Sequence, residues 1–164
     1  MKGYQIQRFR GNGCEIGLYM GKHVRGRFRS AIEQFLKAVD KAYGLDYIRL
    51  EREAINCLSR LPEEYQLEVE SLAYGSSVKL EKVAQWLYCG RYTGFGCSSF
   101  IVLMDNTAWV GRNFDYAGPC MWRNINVIEK EGRIPVVIFG QEGSLFSSTG
   151  FNFRKLWLHY NHVP

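Results

Sequence analysis

Apolar residues recur at three- and four-residue steps from Glu15 to Tyr88, and past Arg91 they gather into short runs separated by polar turns. The first pattern is that of amphipathic helices, because residues so spaced share one face of a 3.6-residue repeat. Met20, Val24, Phe28, Ile32, Phe35, Leu36, Val39 and Tyr43 keep the phase until Gly44 stops it. A second helix is predicted over about Tyr47 to Ser59. Pro62 suits the first turn of a third, which runs through Leu72 to Gly75, and Ser77 can cap a fourth carrying Leu80, Val83, Ala84 and Leu87.

The second pattern predicts strands. Ser98 to Met104 and Ala108 to Phe114 flank the polar turn Asp105-Asn-Thr107, and Asn126 to Lys130 and Ile134 to Phe139 flank Glu131-Gly-Arg133. Ser147 to Phe153 and Leu156 to Tyr160 make a further pair. Helices followed by antiparallel hairpins imply an α+β architecture, with helices against a sheet. No internal repeat interrupts it.

Composition narrows the class. The 164 residues are 46% hydrophobic and 15% aromatic, enough for one domain with a real core and against disorder. The net charge of +5 comes from 21 basic and 16 acidic residues, a mixed surface that does not call for nucleic acid. The densest basic stretch, Lys22 to Arg29, holds Val24 and Phe28 at helical spacing, so its charges read as the solvated face of a helix. No segment reaches the roughly 18 apolar residues of a membrane span, and the opening MKGYQIQRFRGNGCEIG lacks a signal peptide's apolar core, so the expected location is cytoplasmic. Cys14, Cys57, Cys89, Cys97 and Cys120 are an odd set with no Cys-x-x-Cys pair, which indicates neither a disulfide framework nor a zinc site. No cofactor or metal is called for.

One cysteine stands apart. Cys97 follows Gly96 and opens an apolar run, and the returning run closes with Gly111-Arg-Asn-Phe-Asp115. A tight turn of two or three residues at Asp105 to Thr107 places Cys97 opposite Phe114, Asp115 or Tyr116, so a thiol and a carboxylate converge at one end of the hairpin. Arg112 lies three residues before Asp115, so both reach that end only if a bulge or twist re-aims one of them. A cysteine nucleophile needs a base, and none of His23, His159 and His162 is placed near it by the sequence. If the Gly96-Cys97 bond is cut, the freed α-amine supplies one, with an unperturbed pKa of about 7.7–8.0. Asp115 could then hold that amine and Arg112 stabilise the thiolate. The plainer alternatives are a small buried apolar residue at Cys97 and a surface ion pair at Arg112 and Asp115.

The stretch GCSSFIVLMDNTAWVGRNFDYAG resembles the nucleophile hairpin of N-terminal nucleophile (Ntn) hydrolases acting on linear amides. The similar families are the acyl-coenzyme A:isopenicillin-N acyltransferases, with choloylglycine hydrolases, penicillin V acylases and acid ceramidase-like amidases as relatives. GCEIGLYMGK and EVESLAYGSSVKLEKV are similar to that acyltransferase family's propeptide, and STGFNFRKLWLHYNH to its Gly-x-Asn segment. The resemblance implies an αββα sandwich, of which 1–96 would be a helical propeptide-like region and 97–164 the first part of the catalytic core. It implies that Cys97 is the nucleophile exposed by cleavage between Gly96 and Cys97, that Asp115 orients its amine, and that Arg112 supplies positive charge. Asn152 would give its backbone N–H to the oxyanion hole, although Phe153-Arg-Lys-Leu156 replaces the small glycine-containing turn usual there.

Such enzymes continue well past the position of Pro164 with the rest of both sheets and a second oxyanion-hole asparagine. The expectation is therefore a truncated chain, or one completed by a second chain or another copy. Two functions stay open: a self-processing acyltransferase or amidase passing an acyl group through a Cys97 thioester from a small-molecule amide or acyl thioester, and a non-catalytic remnant or assembly subunit. Phe95, Phe114, Tyr116, Trp122 and Phe146 could line an acyl pocket or fill the core.

Overall fold

The computed structural model describes residues 5–90, 96–115, 122–141, 143–146 and 149–159; at 96, 97, 113–115, 122, 123 and 141 it describes the backbone alone. The architecture is α+β. A strand β1 (Gln5–Gly11) precedes five helices, α1 (Gly13–Val24), α2 (Phe28–Tyr43), α3 (Tyr47–Leu58), α4 (Glu63–Ser76) and α5 (Leu80–Cys89). Six strands follow: β2 (Gly96–Met104), β3 (Thr107–Asp115), β4 (Trp122–Lys130), β5 (Val136–Gln141), β6 (Thr149–Asn152) and β7 (Trp157–His159).

The helical phase through Tyr43 is carried by two helices. The chain turns at Arg25-Gly26-Arg27, with Gly26 at φ +90, yet Val24 and Phe28 both stay buried, so the apolar step survives the break. The basic residues around it are exposed, and Arg25 and Arg29 reach across to the Ser77 hydroxyl and carbonyl. Ser77 is not the cap of α5 that its residue type suggests. Its backbone, at φ 57, ends α4 in the left-handed region, and Lys79 occupies the α5 cap without a side-chain bond.

Helices α1 and α4 pack closely along Gly17 and Gly21 on one side and Gly75 on the other. Around them Ile16, Met20, Phe28, Ile32, Val69, Leu72 and Val83 are almost wholly buried. Phe28 meets Trp86 edge-to-face at 5.1 Å.

Helix α1 packs against the β1–β4 side of a five-stranded sheet ordered β1-β4-β5-β6-β7. Its β1–β4 pair is parallel and the rest antiparallel, so the sheet is mixed and includes a strand from the N-terminal segment. Phe9, Ile128 and Val136 lie in one cross-strand row against the helical core. Residues 1–96 and 97–164 therefore share a sheet and a core. Toward one end that row of faces turns polar: Gln7 bonds His23 at 2.6 Å, and Asn124 and Asn126 bury amides that have no hydrogen-bond partner among the described residues.

On the opposite face Val127, Val137, Phe151 and Trp157 form a row across four strands. Phe151 stacks on Trp157 at 6.0 Å, with Phe139 tilted against both. Among the described residues strands β2 and β3 pair with each other, as a two-stranded sheet separate from this one. Phe100, Ile101, Leu103 and Trp109 on them are exposed. No described helix is long and apolar enough to cross a membrane.

Candidate functional site

The β2–β3 hairpin turns on two residues, Asp105 and Asn106, both left-handed at φ 49 and 59. That pair of positive angles makes the type I′ turn whose twist suits antiparallel strands, and short polar side chains tolerate it best after glycine. The two-residue loop selects one of the three registers left open by the sequence. Cys97 pairs with Phe114, Ser99 with Arg112, and Gly96 with Asp115, in unbroken succession from the turn.

Alternation then assigns faces. Cys97 and Ser99 occupy one parity of β2, and their partners Phe114 and Arg112 share it, while Gly96 and Asp115 take the other. Arg112 thus stands one same-face step from Cys97, and Asp115 stands across from the residue that precedes the cysteine. The register contains no bulge that would bring both onto one face. The side chains of Cys97 and Asp115 lie outside the described residues.

A histidine reaches this strand. His159 Nε2 lies 2.9 Å from Ser99 Oγ, and Trp157 Nε1 donates to His159 Nδ1 at 3.0 Å. The indole nitrogen can only donate, so Nδ1 must accept; the neutral ring then carries its hydrogen on Nε2 and donates it to Ser99. This tautomer is the reverse of what a general base for a serine nucleophile needs. Ser99 and His159 are therefore not a Ser–His nucleophile pair. They hold the Cys97 strand to β7. Nothing in the sequence spacing marks this contact, which spans 60 positions.

Asn152 closes the β6–β7 connection. Its N–H donates to the Leu156 carbonyl at 3.0 Å, and its Oδ1 accepts from the N–H groups of Arg154 and Leu156 at 2.9 and 3.0 Å. Lys155, at φ 66, takes the left-handed position that a glycine would hold at less cost. In this arrangement the Asn152 N–H serves the hairpin. An apolar groove of about 370 Å³ runs beside it, lined among others by Val136, Ile138, Leu156, Leu158, Asn152 and His159.

The remaining candidates disperse. His23 lies on α1 against Gln7, and His162 lies outside the described residues. Cys14 and Cys57 are exposed and Cys89 is buried, all as free thiols. Phe146 meets Tyr65 edge-on at 6.1 Å, and Phe95 and Tyr116 fall outside the described residues. Among the described residues no group of three or more His, Cys, Asp or Glu could hold a metal ion. A buried ionic cluster lies elsewhere: Lys130 Nζ contacts Glu68 at 2.9 Å and Glu64 at 3.3 Å. Burial pushes the Glu68 carboxyl up, against the pull of Lys130, while its bonds to Glu68 and Glu64 outweigh burial and raise the Lys130 ammonium.

The chain matches no known protein family and no curated protein.

Proposed function

We propose that the chain is a cysteine-dependent, self-processing amidase or acyltransferase of the Ntn-hydrolase kind, with Cys97 as nucleophile. The observation that carries the reading is the β2–β3 ladder, in which Cys97 stands one same-face step from Arg112 while Gly96, the residue before it, pairs with Asp115. The α+β architecture and the hairpin register agree with it. In the first event the Cys97 thiolate adds to the Gly96 carbonyl, the C–N bond breaks with its nitrogen taking a proton, and water hydrolyses the thioester. The freed α-amine then acts as base, and the thiol takes an acyl group from a small-molecule amide or thioester and passes it to an amine or to water.

Intact-mass measurement of purified protein tests this. The expected result is two fragments, ending at Gly96 and beginning at Cys97, absent in Cys97→Ala. Fragments that persist in Cys97→Ala would mean an outside protease, and the reading would fail. A second reading, a non-catalytic member that assembles with another chain or copy, is favoured by the Asn152 N–H engaged within its hairpin and by the exposed apolar surface of β2–β3. An intact wild-type chain that forms a stable oligomer would select it.

A further inference from the structure

The edge of a sheet is where another extended chain can pair, and folded proteins guard such edges with charge, bulges or brevity. Among the described residues three of the four edge strands are guarded. Strand β1 carries exposed Arg8 and Arg10, β3 carries Arg112 and Asp115, and β7 is three residues long. Strand β2 has no such guard: its nine residues, GCSSFIVLM, include neither a charge nor a proline, and its register with β3 runs without a bulge. Residues 100–104 are all exposed, from 40% at Val102 to 79% at Leu103, and they alternate across both faces of the hairpin.

The ladder also decides which backbone groups point outward. The pair that closes a two-residue loop, Met104 and Thr107, exchanges both hydrogen bonds, and bonded and non-bonded pairs alternate from there. Phe100, Val102 and Met104 therefore bond toward β3, whereas the N–H and C=O groups of Ile101 and Leu103 point away from it. Two copies of 100–104 laid antiparallel about Val102 set Ile101 of each against Leu103 of the other. Four backbone hydrogen bonds then close, and Phe100 of each copy meets Met104 of the other on the same face.

We propose that the chain forms a two-fold dimer through residues 100–104 of β2, which pair antiparallel with the same residues of a second copy into a four-stranded sheet ordered β3-β2-β2-β3. A second copy is the occupant because the segment is its own complement: uncharged, apolar on both faces, and symmetric about Val102 in its outward groups. This goes beyond the Cys97 reading and does not rest on it.

Sedimentation velocity of the full chain in reducing buffer tests it, on wild type and on Cys97→Ala, so that neither cleavage nor a disulfide enters the result. Both should show a concentration-dependent equilibrium between monomer and dimer. Leu103→Pro removes an N–H that points away from β3 and spares the β2–β3 ladder, so it should raise the dimer dissociation constant at least about tenfold. Ala108→Pro, the matching change on the β3 edge, should leave that constant unchanged. Should Leu103→Pro perturb the hairpin, Val102→Lys still decides, because it brings two like charges together at the axis and should also yield monomer. A monomer at every concentration, an assembly larger than a dimer, a dimer that survives Leu103→Pro or Val102→Lys, or one that Ala108→Pro dissociates, overturns the proposal.

Discussion

Replacing Gly17 by alanine tests the packing on which the helical layer depends. In an exposed helix interior the change is favourable by roughly 0.5–1 kcal/mol, because glycine loses more backbone freedom on folding. At Gly17 the new Cβ would stand 2.1 Å from the Glu68 carbonyl oxygen and 3.1 Å from the Leu72 nitrogen. Non-bonded atoms prefer about 3.5 Å or more, and both neighbours are backbone of α4, which no rotamer change can withdraw. The helices would have to part by more than ~1 Å along a seam where Gly21 and Gly75 also lie in close contact, with built Cβ positions 2.5 Å from opposing carbonyl oxygens. Overpacking of this kind costs typically about 1–3 kcal/mol, and here it must exceed the propensity gain. For a domain of this size each kcal/mol shifts Tm by roughly 2–4 °C, so a fall of about 3–10 °C is expected in a thermal melt followed by circular dichroism. Gly90→Ala is the control: its φ is −52 and a Cβ there meets nothing within 4 Å, so it should leave Tm unchanged or slightly raised. A Gly17→Ala protein as stable as wild type would refute the close approach of α1 and α4.

Lys130→Met should cost about 3–5 kcal/mol at pH 8 in urea titration, because it strands the buried Glu68 carboxylate. A carboxyl raised in the folded state loses stability as pH climbs through its folded pKa, so this deficit should shrink as pH falls toward the ordinary carboxylate range; a constant deficit would reject the account. Asn106→Gly, at the second left-handed position of the β2–β3 turn, should slow amide exchange across 98–111 several-fold with little effect on global Tm. Asp115→Asn should slow acyl transfer from a simple amide or thioester by the cleaved protein about 10²–10⁴-fold while leaving iodoacetamide alkylation of Cys97 in uncleaved chain unchanged, whereas Arg112→Met should raise the pH midpoint of that alkylation by about one unit. The reverse assignment of those two effects would show that the register does not govern the site.

The helices were readable because burial and spacing agree: Met20, Val24, Phe28, Ile32 and Leu36 are all core. Their break at Gly26 was hidden by the same regularity, since a four-residue step from Val24 to Phe28 keeps phase across the turn. Strand β1 gave no alternation to read, for Phe9 is buried and Ile6 exposed, with Gln5, Gln7, Arg8 and Arg10 between and beside them. The β2–β3 turn is local chemistry and was legible at Asp105-Asn-Thr107, but the sequence left three registers open, and the left-handed pair Asp105 and Asn106 decides among them. Which sheet the hairpin joins is not local, and no spacing announces that β2–β3 stands apart while β1 crosses to β4. At the site, Cys97, Arg112 and Asp115 were visible as one hairpin, but His159 and Trp157 were not. Their link to Ser99 depends on where the sheet carries β7, and a lone histidine on a short strand carries no signature of its partner.

The mixed sheet also determines what a cut at Gly96 would do. Strand β1 lies hydrogen-bonded along β4 from Gln5 to Gly11, and Phe9 and Ile128 enter one core with α1 and α4. Lys130 on β4 is bound to Glu64 and Glu68 on α4, and Arg133 to Glu64. All of these join residues before 96 to residues after it, and none uses the Gly96-Cys97 peptide bond. Breaking that bond removes one covalent tie at the end of β2 opposite the hairpin turn and leaves the sheet, the core and the ion pairs in place. The N-terminal segment would therefore remain as a permanent part of the folded unit, and a cleaved protein should elute from a sizing column as the intact one does. What changes is confined to the end of β2, where an amide nitrogen becomes an amine able to take up a proton, next to a strand already fixed by Ser99 and His159. A fold that keeps its halves together by β1–β4 pairing can tolerate chemistry at that end because its stability lies elsewhere.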